Sequence, residues 1–194
     1  MGSINNFNLQ DYINKYNSKY FIETGTYRGY GLSYAKSFSF DKIFSIEIIK
    51  KFHDLNILNF KDDKNIILIN NNSIDGLKEI LTKNSIGNTI FWLDAHLPGF
   101  YSDDYSNDYV SDKETLIPLE EELIVIKNNK DIKNDVFIID DLRIYEKGNF
   151  KNGEWLDVIN SGFEGINFIY NILSETHHIT KLYDDEGYII CVPK

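Results

Sequence analysis

The sequence predicts an α/β domain: a doubly wound, mostly parallel seven-stranded sheet that ends in an antiparallel hairpin. Three observations predict it. Short apolar runs rich in β-branched and aromatic residues recur along the chain, segments with apolar residues three and four apart separate them, and the last two runs are joined by a turn too short for a crossover.

The strands come in order as "KYFIET" (19–24), "KIFSIEI" (42–48), "NIILIN" (65–70), "TIFWLDA" (89–95), "DVFIIDD" (135–141), "HHITKLYDD" (177–185) and "GYIICV" (187–192). The near-continuous apolar character of the first five means cover on both faces, as in a parallel sheet. Between them, "GLSYAKSF" (31–38), "IIKKFHDLNILNF" (48–60), "IDGLKEILTKN" (74–84) and "IPLEEELIVIKNN" (117–129) carry helical periodicity. Pro118 suits a first helical turn. "KLYDDEGYIICV" reads as two strands around an Asp-Asp-Glu-Gly turn, which makes an antiparallel hairpin. A long polar connection, "LPGFYSDDYSNDYVSDKETL" (97–116), follows the fourth strand, where loops of such length are either functional, here a lid or acceptor loop, or disordered.

A chain of 194 residues has the size of one domain, so residues 1–194 are expected to form a single domain. With 42% hydrophobic residues it can offset the entropy of ordering, which excludes a disordered acidic tail. A net charge of −10 with no basic stripe opposes a nucleic-acid partner. No run reaches the roughly 18 apolar residues of a membrane span, and the start lacks a signal pattern. "MGS" opens like a myristoylation site but has Asn6 where Ser or Thr is required. The lone Cys191, in an apolar run, reads as a buried structural thiol of a reducing compartment. These features predict a cytoplasmic protein. The oligomeric state stays open, with a homodimer the common default.

Chemistry is expected at the carboxyl ends of the strands. Strand one ends in Glu23 and runs into Thr24, Gly25, Thr26 and Gly29, an E-x-G-x-x-x-G pattern where a dinucleotide site has G-x-G-x-x-G. A carboxylate there repels phosphates and suits a cationic ligand, and S-adenosylmethionine carries both an ammonium and a sulfonium. The alternative is a plain glycine-rich turn with a capping Thr. Glu47, at the end of strand two, stands where an acidic side chain takes ribose hydroxyls. After strand three, Asn72, Ser73 or Asp75 could contact an adenine edge, with helix capping by Ser73 or Asp75 the other reading. Strand four ends in Asp94 and His96, strand five in Asp140 and Asp141. Three carboxylates converging on one crevice call for a cation, and an all-oxygen set favours Mg²⁺ or Ca²⁺; the alternative is that Asp94 and Asp140 cap helices and Asp141 is solvated. His96 points to the same face as Asp94 and could take a substrate proton. His53, His177 and His178 fall away from these strand ends and read as structural or surface residues.

Together "FIETGTYRGYG", "FSIEI", "FWLDAH", "PLEEEL" and "FIIDD" resemble the class I S-adenosylmethionine-dependent methyltransferases, in particular the metal-dependent O-methyltransferases of sugars and macrolide glycosides. The resemblance spans residues 19–141. It implies a Rossmann-like methyltransferase fold, a metal held by Asp94, Asp140 and Asp141, and His96 with Asp94 at the catalytic centre. It further implies cofactor binding by Glu23, Gly25, Glu47 and Ser73, and a sugar or glycoside as methyl acceptor. Two rivals remain: a methyltransferase-like binding protein without chemistry, and a nicotinamide oxidoreductase. The second has only a Tyr109-x-x-x-Lys113 spacing, outside any helical pattern.

Overall fold

A computed structural model of the chain describes residues 3–96, 117–151, 153–154 and 165–194. The expected lid at 97–116, with Tyr101, Tyr105, Tyr109 and Lys113, lies outside them. Among the described residues, seven strands form one sheet: β1 (Tyr20–Thr24), β2 (Lys42–Glu47), β3 (Ile66–Asn70), β4 (Thr89–Leu93), β5 (Val136–Ile139), β6 (His177–Leu182) and β7 (Tyr188–Pro193). Their order is β3-β2-β1-β4-β5-β7-β6. The first five run parallel, and β7 pairs antiparallel with both β5 and β6. The predicted architecture is therefore present, hairpin included.

Side-chain alternation along each strand builds two cores. Ile22, Phe44, Phe91 and Phe137 face one side, and Phe21, Ile43, Ile90 and Ile138 face the other. The first core packs under α4 (Ser73–Lys83), α5 (Leu119–Asn129) and α6 (Asn167–Leu173). The second lies under the short turn Ile4–Asn6, α1 (Leu9–Tyr16) and α2 (Tyr30–Ala35), while α3 (Lys50–Asn59) contributes the neighbouring Phe60. The helices α1 and α6 have no counterpart in the sequence reading. Asn8 caps α1 by accepting from the Gln10 N–H, and Asn17 ends it with φ of 50°, so a local signal for α1 was present. Pro118 stands at the N-cap of α5, one residue before the first turn.

At the amino-terminal edge the sheet is tied by one buried ion pair. Lys130 Nζ meets Asp135 at 2.7 Å and also donates to the Gly87 carbonyl and the Thr89 hydroxyl. His177 joins it through Nε2 and the Asp135 carbonyl, while its Nδ1 faces Thr176. Both its nitrogens are thus engaged structurally, and Cys191 is fully buried. No described helix is long and apolar enough to cross a membrane.

Candidate active site

The order of strands reverses at β1, which has β2 on one side and β4 on the other. Such a reversal parts the connections above the sheet and leaves a crevice at the carboxyl ends. Thr24 pairs in register with Ile46 and Leu93, so the residues leaving β1, β2 and β4 emerge side by side.

The loop after β1 turns through three residues of positive φ: Gly25 (83°), Tyr27 (47°) and Gly29 (79°). Its donors are used inside the protein. The N–H groups of Gly25 and Thr26 bond the Ile46 carbonyl, that of Tyr27 bonds Glu47 Oε2 at 2.6 Å, and that of Gly29 bonds the Thr26 carbonyl. A pyrophosphate cradle needs such N–H groups free, so this loop is unlike a dinucleotide site.

Its glycines are also demanded by neighbouring protein atoms. A methyl group on Gly25 would lie 2.5 Å from the Asp94 carbonyl oxygen. One on Gly29 would run into Asn56 Oδ1, and one on Gly31 into Glu23 Oε1. Asn56 was missed by the sequence reading. Fully buried on α3, it donates from Nδ2 to the Tyr27 carbonyl at 2.7 Å and the Phe52 carbonyl at 2.9 Å, pinning the loop to the helix. Asn56→Ala leaves the Tyr27 carbonyl without this donor, while the Phe52 carbonyl keeps its helical N–H, and should cost about 1–3 kcal/mol. Urea unfolding measures this, and a loss under about 0.5 kcal/mol would show that the pin is dispensable.

Glu23 is buried, with Oε2 accepting from the Ser45 hydroxyl at 2.5 Å, and Ser45 in turn meeting the Thr26 hydroxyl at 2.5 Å. Burial, reinforced by the Glu47 charge, pushes its carboxyl up to about 8. It is thus sealed beneath the loop, holding its shape, where the sequence reading had it attracting a cation. Glu47 spans the loop and the start of α3, accepting from Tyr27 N–H and from Ile49 N–H at 2.8 Å. Each of its oxygens keeps a lone pair for a hydroxyl.

Beyond β3 the helix cap falls to Asn72, and not to Ser73 or Asp75 as the sequence suggests. Asn72 caps α4, accepting from the Asp75 N–H and donating to the Asp75 carboxylate, both at 2.8 Å. Ser73, buried at the start of α4, lies near Glu122 on α5 and favours that carboxyl's charged form.

The acidic strand ends meet, in a grouping that differs from the expected one. Single ligand atoms of Asp94, His96 and Asp141 lie within 4.8 Å of one another. His96 Nε2 is 2.6 Å from Asp141 Oδ2, and its Nδ1 is 3.3 Å from Asp94 Oδ1. Asp140 stands beside this group, its Oδ1 accepting the Asp141 N–H at 2.8 Å, and it lines a small cleft with Asp94, His96 and Glu122. The cause is local: Asp141 adopts φ of 57°, which breaks strand alternation and swings its side chain toward His96. A non-glycine residue held in that region stores strain of the kind that collects at functional sites.

Charge follows from the geometry. Burial and the neighbouring Asp140 and Asp141 charges lift the Asp94 carboxyl well above the usual range. Burial and Asp141 push Asp140 up to about 8. Burial acts upward on Asp141 too, but His96 and Arg143 outweigh it and hold that carboxyl below its ordinary value. Burial opposes a charged His96 ring, yet the Asp141 carboxylate overcomes it and raises the ring's affinity for its proton.

Sequence reasoning also missed Arg143 and Glu186. Arg143 Nε meets Asp141 Oδ1 at 2.7 Å, and its Nη2 reaches Glu186 Oε1 at 3.3 Å. Glu186 belongs to the β6–β7 turn, where Gly187 has φ of 82°. The hairpin thereby braces the acidic site, a contact that no local pattern announces.

Among solved structures, the chain is similar to an O-methyltransferase from Bacillus cereus in complex with SAH. The TM-score is 0.63 at 14% identity, over 96% of this chain and 79% of that one. It is similar also to a protein assigned as a caffeoyl-CoA O-methyltransferase from Staphylococcus aureus, with TM-score 0.61 at 12% identity over 96% and 81% of the two chains. A third is an rRNA methylase from Streptococcus thermophilus, with TM-score 0.57 at 10% identity over 95% and 93%. No family model matches the sequence, and no curated protein matches it. The three structures differ in the substrates their names carry, so the likeness extends to architecture and not to substrate. The chain has the Rossmann-like fold of the class I methyltransferases.

Proposed function

We propose that this protein is an S-adenosylmethionine-dependent O-methyltransferase, assisted by a divalent metal ion and acting on a hydroxyl of a sugar or glycoside. The observation that carries the reading is the meeting of Asp94, His96 and Asp141 at the ends of β4 and β5, next to the Gly25 turn. The fold and the SAH bound to the Bacillus cereus structure support the donor. The acceptor class rests on the resemblance to metal-dependent sugar and macrolide O-methyltransferases.

Methyl transfer needs an oxygen aligned behind the sulfonium methyl and relieved of its proton. The Gly25 turn would seat the donor, Glu47 and Ser73 offering acceptors and a hydroxyl to its adenosyl part. Asp94 and Asp141 suit a divalent ion, because their crowding with Asp140 leaves an excess of negative charge that protons now offset. Bound there, the ion supplies orientation and acidification of the acceptor hydroxyls. His96 would take the proton of the attacking hydroxyl as the neutral ring, a form that a divalent ion on Asp94 and Asp141 favours by offsetting the carboxylates that raise the ring's proton affinity. The 4.8 Å grouping favours a second role for His96, as third ligand. An imidazole in the set widens the choice from Mg²⁺ toward Mn²⁺. The buried thiol of Cys191 fits the cytoplasmic setting expected from composition.

Melting curves test the proposal without knowledge of the acceptor. S-adenosylhomocysteine at about a hundred times its Kd should raise Tm by roughly 5–10 °C, and NAD should not. Mg²⁺ or Mn²⁺ should add a further shift that EDTA removes. A shift with NAD alone would return the protein to the oxidoreductases, and indifference to every divalent ion would discard the metal.

A further inference from the structure

Glu122 takes no part in the mechanism above, yet it stands in the same cleft. It lies on α5, almost wholly buried, with the Thr24 and Ser73 hydroxyls near enough to favour its charged form against the burial that opposes it. Among the described residues its Oε1 has no hydrogen-bond partner. Buried oxygens without partners are rare and costly, so one pointing into a cleft of a binding site implies a donor from a ligand.

The surroundings narrow that donor. The cleft is walled by Asp94, His96, Leu119, Asp140 and Tyr145. Its charge is dominated by carboxyl groups, and burial pushes Glu122 itself up to about 7. The divalent ion would take the charges of Asp94 and Asp141, but Glu122 lies outside that set, and a charged N–H donor pairs with its carboxylate more strongly than a neutral hydroxyl does. Thr24 fixes the place: its hydroxyl lies near Glu122 and accepts the Asp94 N–H at 3.3 Å, one residue before Gly25. Glu23, the other carboxyl of this region that could attract a cation, is closed off by Ser45 and Gly31.

We propose that Glu122 is the seat of the donor's α-ammonium group, Oε1 accepting one of its N–H bonds. The assignment rests on the methyltransferase reading and adds to it a residue that selects the amino-acid end of the ligand.

Calorimetry with two probes tests it. S-adenosylhomocysteine carries the ammonium; 5′-methylthioadenosine shares the adenosine and thioether but lacks the amino acid. Glu122→Gln should weaken S-adenosylhomocysteine by roughly tenfold or more and leave methylthioadenosine unchanged. Glu122→Asp, which keeps the charge but withdraws the oxygen, should show the same selective loss in smaller measure, and it carries the comparison if the Gln variant does not fold. Equal weakening of both probes, or of neither, while the wild type binds them overturns the assignment alone. A wild type that binds neither probe overturns the methyltransferase reading and the assignment with it.

Discussion

His96→Ala should lower turnover by about 10²–10⁴-fold, the contribution of a positioned general base. The ring is held at both nitrogens, by Asp141 at 2.6 Å and by Asp94 at 3.3 Å, and the neighbouring carboxylates raise its proton affinity. Removing it takes away the group that receives the hydroxyl proton while leaving the Gly25 turn, Glu47 and Ser73 in place, so S-adenosylhomocysteine affinity should hold. Acceptor-dependent release of S-adenosylhomocysteine measures the rate, and calorimetry with Mn²⁺ on the same variant separates the two roles of His96. Retained Mn²⁺ affinity with collapsed turnover identifies the base. Lost Mn²⁺ affinity identifies a ligand, and unchanged turnover removes His96 from the mechanism.

Gly25→Ala should destabilise the fold by roughly 2–5 kcal/mol, from left-handed strain of about 1–2 kcal/mol plus overpacking of about 1–3 kcal/mol. The new methyl would press against the Asp94 backbone at 2.5 Å, and backbone at the centre of a sheet has little room to yield. Gly153 provides the control. It has φ of 79° but nothing within 4 Å of an added methyl, so Gly153→Ala should show the strain alone. Urea midpoints of the two variants measure the difference. Equal losses would mean that the approach of β1 to the Asp94 backbone is looser than described, and the crevice with it.

Why glycine occupies position 25 shows where reading a sequence ends. The E-x-G-x-x-x-G pattern located the turn correctly, and the expectation was that glycine admits a ligand. In the fold the missing side chain is replaced by the Asp94 carbonyl, 69 positions further along the chain. The acidic ends divide in the same way. That Asp94, Asp140 and Asp141 crown adjacent strands was legible, because β4 and β5 pair in register. That His96 joins Asp94 and Asp141 while Asp140 turns aside was not, because it depends on the positive φ of Asp141 and on Arg143 and Glu186 bracing that residue from the hairpin.

The sequence by itself determined the strands, the principal helices, the antiparallel ending and the edge of the sheet where polar groups collect. Those properties follow from backbone periods of two and about 3.6 residues, which every apolar side chain reports locally. The tertiary structure alone decided which carboxyls lie sealed and which face the cleft. Glu23 and Glu122 are both buried glutamates, yet one is closed off by Ser45 and Gly31 while the other keeps an oxygen without a partner among the described residues. That difference arises from contacts between segments far apart in the chain, where burial and neighbouring charge set the chemistry of a carboxyl and spacing along the sequence says nothing of either.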